Sequence, residues 1–289
     1  MDKLEQLCDR AEKLLEHLER LLRVDHPEPD WQNSVAFRWR KKADHGWIES
    51  IRHPDRIPLD ALCCIEAQIA RIEQNTRQFV HGFSANNVLL TGARGTGKSS
   101  LIKALLNKYA QSGLRLIEVE KHHLTDLHDI VEIIYQRPER FILFCDDLSF
   151  ESDDPGYKAL KVVLDGSLTT MSENVLIYAT SNRRHMIPEY MCDNLTTHHR
   201  EAEIHPGEAI EEKISLSERF GLWVSFYSFD QEQYLIIVQY WLAFFGIAEI
   251  TPEIRQESLQ WALERGSRSG RVAWQFARDF AGRRKTGDN

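Results

Sequence analysis

Eight consecutive residues narrow the folds open to this chain more than any other feature. Gly92-Ala93-Arg94-Gly95-Thr96-Gly97-Lys98-Ser99 fits the pattern G-x-x-x-x-G-K-[ST] in full. An apolar run precedes it, Asn86-Asn87-Val88-Leu89-Leu90-Thr91, and a helix-forming run follows, Ser100-Leu101-Ile102-Lys103-Ala104-Leu105-Leu106. In a strand, loop and helix of this kind the glycines let the backbone wrap closely around an anion, with successive N–H groups pointing inward. The helix opening near Lys98 adds the positive end of its dipole. Lys98 would reach the β- and γ-phosphates, and the Ser99 hydroxyl would sit on Mg²⁺. Gly92 to Ser100 is therefore predicted to cradle a nucleotide.

The rest of the chain has the rhythm that such a loop needs. Short apolar strands recur between helical segments at Leu114–Val119, Phe141–Cys145, Val175–Ala179 and Leu222–Phe226. Hydrophobic strands alternating with helices indicate βαβ units and a parallel sheet covered on both faces. The predicted fold class is α/β, a P-loop NTPase αβα sandwich around a five-stranded parallel sheet. It divides into an N-terminal helical region (1–58), a nucleotide-binding core (59–228) and a small C-terminal helical lid (229–289). The lid would comprise a helix from Asp230 to Ala248 and another beginning near Arg271.

Two further strand ends carry chemistry. Phe141-Ile142-Leu143-Phe144-Cys145 ends in Asp146-Asp147. A carboxylate there can hold Mg²⁺ opposite Ser99, which makes Asp146 the predicted metal residue. Asp147 could orient the attacking water as a general base, with Glu151 as the candidate substitute. Val175-Leu176-Ile177-Tyr178-Ala179-Thr180-Ser181 ends in Asn182. An amide at that point can hydrogen-bond both a γ-phosphate and the attacking water.

Composition limits the setting. Hydrophobic residues make up 42% of the 289 and charged residues 28%, which excludes disorder throughout. A net charge of −8 argues against a dedicated nucleic-acid coat. Five scattered cysteines point to a reducing compartment rather than a disulfide framework. The charged start, Met1-Asp2-Lys3-Leu4-Glu5, does not resemble a signal peptide. The charge-free run from Gln233 to Ala248 is shorter than the ~20 residues of a membrane helix. A cytoplasmic protein without a membrane partner is expected. The twelve histidines lack tetrahedral-site spacing with cysteine or carboxylate and read as solvated loop residues.

Two N-terminal segments stay open. Leu4, Leu7, Ala11, Leu14, Leu18 and Leu21 describe an amphipathic helix over 2–24, docked on its own domain or paired with a partner chain. Residues 31–52 interleave Trp31, Phe37, Trp39 and Trp47 with Arg38, Arg40, Lys41, Lys42 and Arg52. That string suits stacking on bases and pairing with phosphates, and equally suits buried tryptophans flanked by solvated charges.

The loop, the acidic strand end and the asparagine, in this order, resemble the AAA+ ATPases. Ser215-Leu216-Ser217-Glu218-Arg219-Phe220-Gly221 is similar to the box in which those proteins carry an arginine finger. By that resemblance Arg219 would reach the nucleotide of a neighbouring subunit, which implies a homo-oligomer. Gly266-Ser267-Arg268-Ser269-Gly270-Arg271-Val272-Ala273-Trp274 resembles the sensor 2 segment. It implies that Arg271, or failing that Arg268, folds over the nucleotide. Asn75-Thr76, Asn86-Asn87-Val88-Leu89-Leu90, Phe144-Cys145-Asp146-Asp147-Leu148-Ser149-Phe150-Glu151 and Ala179-Thr180-Ser181-Asn182-Arg183-Arg184-His185 look like a bacterial AAA+ family classed as a domain of unknown function. The family lies closest to the initiator and helicase-loader branch.

Membership implies ATP binding with Mg²⁺, and ATP hydrolysis that drives conformational change in an oligomer. It supplies no protein client. The alternatives are a nucleotide-dependent switch or scaffold with little turnover, and a DNA-linked remodeller of the helicase-loader kind, which the acidic net charge does not favour. No Asn-Lys-x-Asp guanine motif is present. The segment Glu118-Val119-Glu120-Lys121-His122-His123-Leu124 lacks an aromatic-hydrophobic-Gly pore loop.

Overall fold

The computed structural model describes residues 28–43, 45–149, 154–165, 173–182 and 218–286. The helix expected at 2–24 lies outside them. Seven strands form one sheet: β1 (Ala36–Lys42), β2 (His45–Ser50), β3 (Val88–Gly92), β4 (Leu114–Glu118), β5 (Arg140–Cys145), β6 (Val175–Ser181) and β7 (Leu222–Phe226). Their spatial order is β2-β1-β4-β5-β6-β3-β7. Every neighbouring pair is parallel except the β1–β2 hairpin at one edge.

All five expected strands are present, shifted by no more than two residues at either end, and they stand next to one another. The correction is at the N-terminal side. Residues 36–50 form a hairpin that extends the five-stranded parallel sheet to seven, where a helical region was expected. The alternation that reads as an aromatic and basic interleaving is the period-2 pattern of a strand. Phe37 and Trp39 point into the core while Arg38, Arg40 and Lys41 pair with carboxylates.

Helices cover both faces: α1 (Glu66–Val80), α2 (Lys98–Tyr109), α3 (Leu127–Ile134) and α4 (Pro155–Asp165). A C-terminal group follows, α5 (Gln231–Phe244), α6 (Pro252–Glu264) and α7 (Gly270–Thr286). Asp230 closes the N-terminus of α5 with a full capping box: its side chain accepts from the Gln233 N–H at 2.8 Å and Gln233 returns a bond to the Asp230 N–H. Thr251 caps α6 ahead of Pro252.

The core has one cluster on each face of the sheet. One gathers Leu90, Leu105, Phe144, Tyr178 and Phe226 with Tyr234, Val238, Ala273 and Phe276 of the C-terminal helices. The other holds Phe37, Trp39, Ile117, Leu143 and Ile177 under α3 and α4. A buried polar knot ties α1 to the sheet. The Asn75 Nδ2 donates to the Asn86 carbonyl at 2.9 Å and to the Tyr178 hydroxyl at 3.1 Å, and Thr76 Oγ1 lies 2.8 Å from the same hydroxyl. Asn87 accepts the Ile177 N–H at 2.9 Å. Burial pushes the Tyr178 phenol up to about 12, so it stays neutral.

Candidate functional site

The strand order explains how motifs far apart in sequence meet. β5, β6 and β3 are adjacent and parallel, so their C-terminal ends, at Cys145, Ser181 and Gly92, open on one side of the sheet. The connections diverge on either side of this point, which is where open α/β sheets leave a crevice for a ligand.

The loop leaving β3 depends on glycine at two positions above all. Gly92 has φ 123°, and a Cβ there would sit 1.9 Å from the Phe226 carbonyl oxygen of β7. Gly95 has φ 72°, and its Cβ would meet the Ser269 side chain at 2.8 Å. The Gly270 N–H, at the start of α7, donates to the Gly95 carbonyl at 2.8 Å. The lid is thereby hydrogen-bonded directly to the loop.

Lys98 opens α2 and is almost wholly buried. Its Nζ donates to three neutral oxygens: Gly92 O at 2.9 Å, Ala93 O at 2.7 Å and Asn182 Oδ1 at 3.1 Å. Burial dominates its titration and brings the ammonium down to about 8, against the opposing pull of Asp146 and Asp147. A buried cation bonded only to carbonyls is a site that an anionic oxygen would stabilise.

Ser99 Oγ donates to Asp146 Oδ1 at 2.7 Å. Thr180 Oγ1, from β6, donates to the same oxygen at 2.5 Å and accepts the Asp147 N–H at 2.9 Å. Asn182 Nδ2 donates to Asp147 Oδ1 at 2.5 Å. Asp147 itself has φ 53°, a left-handed conformation unusual outside glycine and costly enough to need support. The hydroxyl of Ser99 and the carboxylate of Asp146 form a hard oxygen pair of the kind Mg²⁺ takes alongside phosphates and water.

Lys98, Ser99, Asp146, Asp147 and Asn182 line one cleft of about 890 Å³, together with Arg94, Thr96, Ser100 and Arg271. Its opposite wall is apolar and aromatic: Ile57, Leu62 and Ile65 from the segment before α1, with Trp241 and Trp274 from the lid. A cleft with an apolar end and a glycine-rich, cationic end suits a nucleotide, base at one side and phosphates at the other.

Of the expected site residues, Gly92 to Ser100, Asp146, Asp147, Asn182 and Arg271 are brought together. Arg268 does not line the cleft. Neither does Arg219, whose guanidinium is hydrogen-bonded to Asp165 at the end of α4. Glu151 lies outside the described residues. Sequence reasoning missed Thr180, whose signal was a hydroxyl beside the strand-end asparagine. It also missed the Ile57–Ile65 wall, which carries no motif.

Strand order, loop and cleft together have the architecture of a P-loop nucleotide-binding fold. The chain belongs to the family described as protein of unknown function DUF815, whose model matches residues 32–284. Among solved structures it is similar to the ORC1 protein of Aeropyrum pernix in complex with DNA (17% identity, TM-score 0.53, 80% of this chain and 63% of that chain). It is also similar to an arginine-to-alanine variant of Thermotoga maritima RuvB (13% identity, TM-score 0.52, 78% of this chain and 65% of that chain). At these identities the fold is what is shared, and this chain spans under two thirds of either protein's length. No curated protein matches. Among the described residues no helix is long and apolar enough to cross a membrane.

Proposed function

We propose that the chain is an ATPase that binds Mg·ATP in the cleft beneath the lid and hydrolyses it within a homo-oligomer. The observation that carries this reading is Lys98, a buried ammonium bonded only to neutral oxygens and surrounded by Ser99, Asp146, Asp147 and Asn182. The loop N–H groups and Lys98 hold the phosphates, and Ser99 and Asp146 hold Mg²⁺. When bound, that ion neutralises charge on the β- and γ-phosphate oxygens. Asn182 orients the attacking water and Asp147 takes its proton through the oxygen that Asn182 does not occupy. The water oxygen bonds to the γ-phosphorus as the bridging P–O bond breaks, giving ADP and phosphate. Arg271 closes over the phosphates from the lid, and Arg219 serves the cleft of a neighbouring subunit, for which it must leave Asp165.

The test is steady-state ATP hydrolysis across a protein-concentration series, with light-scattering mass measured with and without ATP. Turnover per subunit is expected to rise with concentration and to fall about 10³-fold in Arg219→Ala. Turnover independent of concentration, from a monomer at saturating ATP, overturns the oligomeric reading. A second reading is a switch that binds ATP with negligible turnover, favoured by the short Asp147 side chain already tied to Asn182. Asp147→Ala and Lys98→Ala separate the two. Under the switch reading Asp147→Ala matches wild type in turnover, while only Lys98→Ala loses binding. The DNA-linked alternative loses the support of the aromatic and basic segment, because Arg38, Arg40 and Lys41 are each paired with carboxylates and Trp39 is buried, and keeps only its branch resemblance.

A further inference from the structure

The lid carries charge opposite to that of the whole chain. Residues 252–286 hold eight Lys or Arg against four Asp or Glu, in a protein of net charge −8. Three of those arginines, Arg265, Arg278 and Arg283, line one open groove of about 700 Å³ between α6 and α7, together with Trp261, Trp274 and Asp279. The groove belongs to neither the loop nor the acidic strand ends.

Its guanidinium groups are held in an unusual way. Arg265 lies over the Trp261 indole, 3.4 Å from the ring centre, and Arg278 over the Trp274 indole at 5.1 Å. Stacking orients a guanidinium without cancelling its charge, and leaves its N–H edge available to a phosphate. Arg283 is different, being bonded to both Glu257 and Asp279. Arg265 engages one of its terminal nitrogens, Nη1, with the Trp261 carbonyl at 3.4 Å and the exposed Glu264 carboxylate at 3.7 Å. The Trp261 indole N–H is buried and has no hydrogen-bond partner.

We propose that this groove binds single-stranded nucleic acid, its phosphates on the N–H edges of Arg265 and Arg278 and its bases stacked on the guanidinium–indole pairs. Charge alone would suit any polyanion. Two guanidiniums, each flat on an indole, offer a charged edge and a stacking plane together, which suits a ligand that alternates phosphates with unpaired bases and which an acidic peptide does not use. A duplex keeps its base faces stacked and would meet only the charges. Trp274 also borders the nucleotide cleft, so the two sites share a wall. The inference stands apart from the ATP reading, and oligonucleotide binding by a protein that fails to bind ATP would still support it.

The experiment is fluorescence anisotropy of a labelled oligodeoxythymidine with the full chain, from about 50 mM salt upward. Saturable binding is expected, with affinity falling as salt rises. Arg265→Glu combined with Arg278→Glu, two residues outside the nucleotide cleft, is expected to weaken binding at least tenfold. The neutral pair Arg265→Gln and Arg278→Gln should flatten the log–log salt slope by about 1.4, as for two lost single-strand phosphate contacts. An abasic oligomer of equal length is expected to bind about tenfold more weakly. Absence of saturable binding, equal affinity for the abasic or duplex form, or full affinity in the melting-verified Gln pair each overturns the proposal.

Discussion

Lys98 shows how a single residue trades stability for binding. Its folded-state value of about 8 lies below the ordinary lysine value of 10.5, so between those pH values the unfolded chain binds more protons than the folded one. The ligand-free protein therefore bears the full penalty below pH 8 and is relieved of it as pH rises towards 10.5. That penalty, with the three hydrogen bonds of the ammonium already counted in it, is on the order of 3 kcal/mol. Lys98→Met is expected to raise ligand-free stability by about 1–2 kcal/mol at pH 7 in urea unfolding, with the gain shrinking by pH 9.5. The same variant should lose the ATP-induced rise in melting temperature that wild type shows. Asp147 makes a related case through its backbone. Asn tolerates φ 53° as Asp does, so Asp147→Asn should melt within about 0.5 kcal/mol of wild type and yet hydrolyse ATP at least tenfold more slowly.

At the scale of elements, two buried polar anchors hold helices and hairpin to the sheet. Asn75 joins α1 to the start of β3 and to β6, and its truncation takes the partner from the Asn86 N–H and carbonyl and leaves the Tyr178 hydroxyl with Thr76 alone. Asn75→Ala is expected to cost about 2–3 kcal/mol in chemical denaturation, with nucleotide affinity unchanged in the folded fraction. Asp126 anchors the β1–β2 hairpin by accepting from Trp39 Nε1 at 3.1 Å and Lys41 Nζ at 2.6 Å. Burial alone would raise its titration point, but these partners and the nearby His123 hold it below the ordinary value of 3.8. Its contribution is thus complete above pH 3.8 and is lost as pH falls through the lower folded-state value. Asp126→Asn should remove that acid dependence and destabilise the protein at pH 7 by about 1–2 kcal/mol. These anchors also explain part of what was legible beforehand. Asn75-Thr76 and Asn86-Asn87 stood out by resemblance, and their task proves to be positioning the strand that feeds the loop.

At the scale of the molecule, the lid is not a separable body. Tyr234, Val238 and Phe276 share one buried cluster with Leu90, Phe144 and Phe226 of the core, and the Gly270 N–H closes on the loop itself. Core and lid are expected to unfold in one calorimetric transition, and a chain ending at residue 228 should fail to fold. Two resolved transitions would contradict this. ATP at about a hundredfold excess over its dissociation constant should raise that single transition by about 5 °C or more.

The sequence alone determined the parallel core, the loop, and the polar ends of two strands, because each is local: an apolar run, then glycine, acid or amide at the exit. It also determined the capped start of α5, for the same reason. The sheet order was decided only by tertiary packing, which set β5, β6 and β3 side by side and turned three distant motifs into one cleft. Tertiary packing likewise made a strand pair of the aromatic and basic run at 36–50, by supplying carboxylates for Arg38 and Arg40 on its outer face and a core for its inner one. It engaged Arg219 with Asp165, and it gathered the lid's arginines and tryptophans along one groove. Those outcomes depend on which surfaces meet, and no window of sequence contains that information.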